Sequence, residues 1–357
     1  PVHNAREPEV TLEIRQMGEE IREISSEAQS DRDLFKATLP FGAESVKTSW
    51  WVVGSTFLML LASLSGAALA PAWPLRLLFS ILSAFLMLRA FITYHDYLHN
   101  AILSRSRAAW WLFRIYATLA LTPPRSWRNS HNYHHGHVGK IDAASVGAFA
   151  TMTTDMWREA SLGARIAYRV ERHPLTIVAG YFTIFFLSVT VLPFLRNPAR
   201  HWDSLAVLLG HVALIAVLWI LGGFAVAFFV VLLPMTIASM IGSYLFFAQH
   251  SFENMRVLPE ETWTSRRAAI ESSSYLKMNK VMRWFTGNIG YHHIHHLNVR
   301  IPFYRLPDAM EAIEGLQSPV TITLSLKDIR ACFRCCLWDE ELQRMVSYRE
   351  FARAVAV

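Results

Sequence analysis

Residues 292–296 of this 357-residue chain read His-His-Ile-His-His. Two earlier stretches are also rich in histidine: residues 131–135 read His-Asn-Tyr-His-His, and residues 95–99 read His-Asp-Tyr-Leu-His. In a helix, residues three and four apart lie on one face, so each stretch would turn its histidines toward one point. Neutral imidazole is a ligand for iron, copper, zinc and nickel. The three clusters therefore predict a metal centre built from several helices.

Long apolar stretches flank the histidine clusters. Hydrophobic residues make up 53% of the chain and charged residues 17%, and the mean hydropathy is +0.25. A soluble domain carries more charge than this. Five stretches approach the roughly 20 residues that cross a bilayer. They run from Trp50 to Ala70, Trp73 to Ile92, Leu175 to Leu195, Ser204 to Ile220 and Phe224 to Phe247. We predict an all-α, polytopic membrane protein with at least four transmembrane helices.

The clusters must lie on one side of the membrane if they build one site. An even number of crossings then separates them, so the short stretch from Ala108 to Leu121 cannot cross. One of the three apolar stretches after His135 must be re-entrant, interfacial or part of a longer helix, and Gly222 and Gly223 mark the expected irregularity. The segment from His95 to His173 is rich in arginine and lysine, which by the positive-inside rule places the site in the cytoplasm.

Charge and cysteine usage restrict the partners. The net charge of +6 is dispersed through loops between apolar stretches, which favours contact with anionic lipids and an acidic electron donor over nucleic acid. Cys332, Cys335 and Cys336 include no second pair to complete a tetrahedral zinc site, so we interpret them as reduced. The sequence contains no dinucleotide fingerprint, no His-Pro-Gly-Gly segment and no iron–sulfur cysteine set. If the predicted metal centre carries out redox chemistry, its electrons are therefore expected to come from a separate carrier.

We divide the chain into three parts. Residues 1–48 place apolar residues at helical spacing between charges, which predicts a cytoplasmic amphipathic segment without a cleavable signal peptide. Residues 49–320 form the membrane domain with the metal site. Residues 321–357 are predicted to be a cytoplasmic helical tail. In this tail, Ser325 to Leu337 forms a helix with Leu326, Ile329, Phe333 and Leu337 on one face.

The order and spacing of the clusters resemble the three histidine boxes of the membrane fatty acid desaturases and related hydroxylases. The resemblance covers roughly Thr93 to Glu311. It is most specific, toward bacterial acyl-lipid desaturases, in Gln249-His250-Ser251-Phe252-Glu253, Gly287-Asn288-Ile289-Gly290-Tyr291-His292-His293-Ile294-His295-His296-Leu297 and Ile301-Pro302-Phe303-Tyr304-Arg305-Leu306. In that family two irons are held almost wholly by histidine, with one further histidine upstream of the third box. The nine implied ligands here are His95, His99, His131, His134, His135, His250, His292, His295 and His296.

The resemblance also implies the reaction. Dioxygen would be the co-substrate, a membrane acyl chain would gain a cis double bond, and no catalytic side chain or organic cofactor site is expected beyond the metal centre. The donor would be of the ferredoxin or cytochrome b5 type, and the protein would lie in a bacterial inner membrane. Two departures from the family pattern leave lipid or hydrocarbon hydroxylation open. Within the first histidine box, Tyr97-Leu98 stands where many acyl desaturases have a Cys-Gly pair. After the second box, His137-Val138-Gly139 stands where a sequence of the Thr-Asn type is often found. Metal or proton transport fits less well, because only His211 lies well inside an apolar stretch.

Other residues are expected to support the ligands. Metal-bound imidazoles usually donate their second ring N–H to a carboxylate or carbonyl. The candidates for this role are Asp96, Glu253 and Asp142, with Asn132 and Asn288 as neutral equivalents. An apolar acyl tunnel would be lined by aromatic neighbours of the ligands, for which the candidates are Trp127, Trp284, Phe285 and Tyr97. His137 and His293 fall outside the ligand pattern and are expected to be supporting or surface residues.

Overall fold

The computed structural model describes residues 29–140 and 149–355. The predicted amphipathic segment, with apolar residues from Val10 to Ile24, lies outside the described residues, as does Asp142. Residues 29–38 are helical and lead into a 3-10 turn, Leu39–Gly42.

Two long apolar helices open the membrane domain: α1, Val46–Leu69, and α2, Trp73–Leu98. The hydroxyl of Ser45 accepts the Thr48 backbone N–H and so caps α1. The short link between the helices reverses the chain. The Oγ atoms of Ser63 and Ser83 lie 2.9 Å apart, and Arg89 Nε donates to Thr56 Oγ1 at 3.1 Å. The later residue of α1 thus contacts the earlier residue of α2, so the two helices are antiparallel. Helix α2 ends at the first histidine cluster.

A shorter helical pair follows. Helix α3, Arg107–Leu119, has 13 residues, and α4, Pro124–His137, carries the second cluster. At 1.5 Å per residue α3 is about 20 Å long, too short to cross a bilayer. Its Phe113 and Tyr116 rings pack against Phe57 of α1, with centroids 5.9 and 5.6 Å apart. The prediction that Ala108 to Leu121 does not cross agrees with this geometry.

The third predicted apolar stretch is interrupted. Strand β1, Met152–Thr153, precedes four short helices: α5, Thr154–Glu159; α6, Leu162–Glu171; α7, Pro174–Val178; and, after a π-helix at Tyr181–Val191, α8, Leu192–Arg196. The Leu192 backbone N–H donates to the carbonyl of Leu187, five residues earlier, which is the hydrogen bond of a π-turn. The continuous apolar helix, Tyr181–Arg196, is shorter than a span. Of the three stretches, this one does not form a helix long enough to cross a bilayer, and the non-helical backbone at Gly223, near the predicted irregularity, is a second break.

The last apolar region consists of α9, Trp202–Ala227, a π-helix at Phe228–Leu232, and α10, Leu233–Gln249. Gly223, at φ 77° and ψ 171°, breaks the helical backbone. Asp203 at one end accepts the Arg125 backbone N–H at 2.8 Å, while His250 at the other end lies 3.2 Å from His134, Nε2 to Nε2. Both partners belong to α4, which is about 21 Å long, whereas a straight 48-residue helix would span about 72 Å. The chain therefore turns back at Gly223.

Within the described residues, three segments are long and apolar enough to cross a membrane: Val46–Leu69, Trp73–Leu98 and Trp202–Gln249. The third doubles back at Gly223, so it contributes two limbs, and the described residues contain four long apolar helical limbs. This agrees with the predicted minimum of four, and the chain is mostly helical, as expected.

The remaining elements form a cap at the histidine end. Its helices are α11, Ser265–Glu271; α12, Lys280–Phe285; α13, His292–Leu297; α14, Leu306–Ala312; α15, Leu326–Arg334; and α16, Tyr348–Val355, with 3-10 turns at Phe303–Arg305 and Glu314–Leu316. Its strands are β2, Tyr275–Lys277; β3, Thr321–Thr323; β4, Leu337–Asp339; and β5, Arg344–Val346. Strands β2 and β3 pair in parallel, while β4 pairs with β1 in parallel and with β5 in antiparallel fashion.

The tail predicted to be helical also contains the strands β3, β4 and β5. Ser325 caps α15 as expected, but the helix ends at Arg334, and Leu337 lies in β4 instead. Leu337 and Trp338 are almost fully buried, which the paired strand achieves and a helix extending into solvent would not. The tail also shares a core with Phe247 of α10, so it packs onto the membrane domain.

Candidate metal centre

The histidine clusters meet where four helices end. His95 lies in the last turn of α2 and His99 is its C-terminal cap, while α4 carries the second cluster and α13 the third. His250 follows the last residue of α10. The histidine-bearing faces of α4 and α13 meet each other, with Nε2 of His135 3.1 Å from that of His295. The face of α4 also meets the end of α2, where Nε2 of His131 lies 3.0 Å from that of His95.

The nine predicted ligands form two groups. The first contains His95, His99, His131, His135 and His295, and the second contains His134, His250, His292 and His296; within each group the candidate ligand atoms lie within 4.8 Å of one another. Helices α4 and α13 contribute to both groups. The i, i+3, i+4 spacing is what makes this possible, since neighbouring positions on one helix face reach two adjacent centres.

The nitrogen atoms in each group lie at metal-ligand spacing. In the first group, Nε2 of His131 is 3.0 Å from that of His95 and 3.1 Å from that of His135. In the second, Nε2 of His292 is 2.9 Å from that of His250 and 3.1 Å from that of His296. Two imidazole nitrogens about 2.1 Å from one ion, at a right angle, would be about 3.0 Å apart. The donor sets therefore fit two metal ions.

Burial keeps these imidazoles neutral. Seven of the nine are buried, and His135 and His250 are half-buried. Desolvation lowers the pKa of His250 to about 4, and it lowers the pKa of His134 and His292 well below the ordinary value, with help from neighbouring imidazoles. Nε2 of His99 is buried without a hydrogen-bond partner among the described residues. A metal ion would satisfy this lone pair, since the neutral imidazole is the ligating form.

The second ring nitrogens fix the orientation of two ligands. Nδ1 of His95 lies 3.0 Å from Asp96 Oδ1, and Asp96 Oδ2 accepts the Phe303 backbone N–H at 2.7 Å. Nδ1 of His250 lies 3.0 Å from the carbonyl oxygen of Ser272. In both cases Nδ1 carries the hydrogen and donates, which leaves the Nε2 lone pair directed into the centre.

The other predicted supporting residues lie elsewhere. The Asn288 amide donates to the Phe303 carbonyl at 3.1 Å, so it holds the loop that also contacts Asp96. Asn132 and Glu253 have exposed side chains, and the structure does not bring them to the imidazoles. His137 stacks on Tyr133, with ring centroids 3.8 Å apart.

His293 is fully buried, with Nε2 3.3 Å from the carbonyl oxygen of Leu316. It joins α13 to the 3-10 turn at Glu314–Leu316, and it is not a surface residue.

Aromatic rings enclose part of the site. Trp127 stacks on His131 with ring centroids 4.2 Å apart. Phe246 was not identified from the sequence, and its ring centroid lies 5.1 Å from that of His134 and 5.6 Å from that of His250. Its position one helical turn before His250 was the available signal.

The other three tunnel candidates pack against different neighbours: Tyr97 against Phe113, Phe285 against Phe85, and Trp284 against the Arg89 guanidinium. Trp127 and Phe246 thus form the apolar surface beside the ligands.

Two adjacent groups of buried and half-buried histidines at the ends of apolar helices could each hold a metal ion, as in a membrane metalloprotein. The fatty acid desaturase family model matches residues 71–321, and the chain belongs to this family. A fatty acid desaturase of Bacillus subtilis strain 168 is 31% identical over 329 residues, which cover 90% of this chain and 92% of the relative. The resemblance inferred from the histidine boxes is confirmed.

More distant relatives have more specific names. An sn-1 acyl-lipid omega-3 desaturase (ferredoxin) of Nostoc sp. strain 36 is 23% identical over 274 residues, 70% of each chain. An sn-1 oleoyl-lipid 12-desaturase of Synechocystis sp. is 22% identical over 224 residues, 61% of this chain and 62% of the relative.

Proposed function

We propose that this protein is an O2-dependent acyl-lipid desaturase whose nine histidines hold two iron ions. The observation that supports this most strongly is the division of the nine imidazoles into groups of five and four that share α4 and α13. Membership of the desaturase family supports the reaction class, and the acyl-lipid desaturases among the relatives support a membrane lipid as substrate.

Iron fits the donor set because neutral imidazole is a good ligand for it. With two irons bound, the site would supply the oxidation of an acyl –CH2–CH2– unit: dioxygen, two electrons and two protons are consumed, two hydrogens leave the chain, and a cis double bond and two waters form. The protein groups around the histidines hold these ligands in place. Asp96 and the Ser272 carbonyl fix ring tautomers, and burial excludes bulk water from the centre.

Selectivity must come from shape. An unactivated methylene offers no polar group to bind, so an apolar surface has to hold the chain at a fixed depth. Trp127 and Phe246, which contact the ligand rings, are the residues we assign to this surface.

A separate carrier would deliver the electrons, and two of the relatives carry ferredoxin in their names. Residues 97–139 contain five arginines and no aspartate or glutamate. The positive-inside rule favours a cytoplasmic position for this segment, and the bacterial relatives favour an inner membrane. Arg125 is exposed at the start of α4 and Arg128 is half-buried one turn later, so this end of α4 suits an acidic donor.

Mass spectrometry of total fatty acids tests the proposal. A host without this activity would express the intact chain or His134→Ala under air, with a ferredoxin system supplied. Loss of two hydrogens at one position, seen only with the intact chain, is the expected result and locates the bond. Gain of one oxygen would establish the hydroxylase alternative instead. An unchanged lipid profile, with both the protein and the donor shown to be present, would contradict the proposal.

A further inference from the structure

An open notch of about 400 Å³ lies beside α3, separate from the histidine groups. It is lined by Tyr97, Ser104, Arg105, Ser106, Arg107 and the Trp110–Trp111 pair. Tyr97 is two residues from both His95 and His99, so it projects from the opposite side of the chain there. The notch is therefore not part of the metal centre.

The notch carries positive charge without matching acids. Arg105 and Arg107 are exposed, and neither makes a hydrogen bond or ion pair within the part of the chain that the structure describes. Among the described residues, the carboxylate that hydrogen-bonds beside the notch is that of Glu44, whose Oε1 accepts the Leu103 backbone N–H at 2.7 Å. Ser106 Oγ accepts the Ala109 backbone N–H at 3.2 Å, which leaves its own hydroxyl hydrogen available to donate.

The surroundings of the notch include exposed apolar side chains. Helix α3 packs inward through Tyr116, whose hydroxyl donates to the Met87 carbonyl of α2 at 2.7 Å. Its outer face leaves Trp111 63% exposed and Ile115 70% exposed. Arg114 stacks over Trp110, 4.0 Å from the ring centroid. Exposed apolar side chains together with tryptophans and arginines are typical of a bilayer interface, where lipid phosphates lie.

We propose that this notch binds the phosphate of an anionic membrane phospholipid. Arg105 and Arg107 would supply the charged donors, the hydroxyls of Ser104 and Ser106 the neutral ones, and Trp111 the contact with the upper acyl region. The exposed apolar face of α3 favours a lipid over a soluble acidic protein. The site requires neither bound metal nor desaturase activity, so it goes beyond the proposed function.

Native mass spectrometry of the purified full-length protein, titrated with dioctanoyl phosphatidylglycerol in a nonionic detergent, tests the site. Near a lipid surface each basic residue contributes about fivefold in affinity. We expect Arg105→Gln/Arg107→Gln to weaken binding at least tenfold and Arg105→Lys/Arg107→Lys to retain most of it. The control Arg330→Gln/Arg349→Gln removes the same charge from exposed positions of the tail and should bind normally. Equal binding of phosphatidylglycerol by the glutamine variant of the notch and by the tail control would overturn the proposal.

Two further arms identify the source of the phosphate. Dioctanoylglycerol lacks the phosphate and should bind all variants alike. If the glutamine variant binds phosphatidylglycerol weakly and its KM for lipid substrate rises, the notch holds the substrate headgroup. If the KM is unchanged, it holds a neighbouring lipid. A raised KM for the electron donor with normal phosphatidylglycerol binding would overturn the lipid site in favour of a protein-docking surface.

Discussion

Asp96 and His95 are adjacent in sequence, and their side chains are hydrogen-bonded, with Nδ1 of His95 3.0 Å from Oδ1 of Asp96. The second carboxylate oxygen accepts the Phe303 backbone N–H. Asp96 thus links a ligand on α2 to the loop after α13. Both oxygens accept, and both are buried, so the position requires an acceptor at each.

Replacing Asp96 with asparagine should weaken metal binding. The amide NH2 would face one of the two donors and leave it unpaired. Loss of such a ligand-supporting contact typically costs about 10- to 100-fold in metal affinity. Iron retained after dialysis against graded chelator measures the effect. Glu253→Gln is the matched control, because Glu253 is exposed; equal iron retention by the two variants would show that the Asp96 contact does not support the ligand.

Removing one ligand should abolish turnover without removing the protein from the membrane. His134 belongs to the second histidine group, whereas His137, on the same helix, stacks on Tyr133 outside both groups. We expect His134→Ala to be inactive and His137→Ala to keep most of its activity, with equal amounts of both in the membrane fraction. Full activity of His134→Ala with its iron intact would remove His134 from the ligand set.

Acidification should release the metal and destabilise the protein. Burial lowers the pKa of His250 to about 4, while an unfolded histidine titrates near 6.5. Between these values the unfolded chain binds protons that the folded chain does not, so the free energy of unfolding falls as the pH falls. Stability from the neutral imidazoles is fully present above about pH 6.5 and is lost as the pH falls through the folded pKa. Bound metal and the melting temperature, followed from pH 7.5 to pH 4, should decrease together; constant values across this range would contradict the assignment of neutral buried ligands.

Charge reversal at the start of α4 should impair coupling to the electron donor. The Arg125 contact with Asp203 uses the backbone N–H, so Arg125→Glu/Arg128→Glu leaves that contact in place. We expect the KM for an acidic donor to rise about tenfold at low salt, with a smaller change in kcat at saturating donor. Arg330→Glu/Arg349→Glu applies the same charge change in the tail. Unchanged turnover of the α4 variant at limiting donor would place the docking surface elsewhere.

The sequence locates the nine histidines that meet in the two groups more completely than it locates the residues that support them. Helical spacing alone groups His131, His134 and His135, because i, i+3 and i+4 share a face. It does not reveal that these three divide between two centres, which depends on how α4 and α13 meet in space. Asn132 was an equally good supporting candidate by sequence position, yet it points outward. Asp96 points inward because the buried end of α2 faces the Phe303 loop.

For the fold, too, the sequence predicts some features and not others. Hydropathy locates the apolar helices, but it cannot separate a crossing from a broken helix, as the π-helical Tyr181–Val191 segment shows. Nor does it reveal Arg89, a buried cation within α2 whose guanidinium lies 4.1 Å from the Trp284 ring centroid. Gly287 has a positive φ of 50°, and a Cβ there would lie 2.8 Å from Ile92. Such tertiary contacts between distant segments are not encoded in any local pattern.

The most direct test of the paired histidine groups is the iron content of the purified protein, loaded with ferrous iron without oxygen and then freed of excess metal. Elemental analysis should give two irons per chain for the intact protein. With His292→Ala, which weakens the second group only, it should give one. A content of one or none in the intact protein, or two in His292→Ala, would contradict a centre of two ions held by these nine histidines.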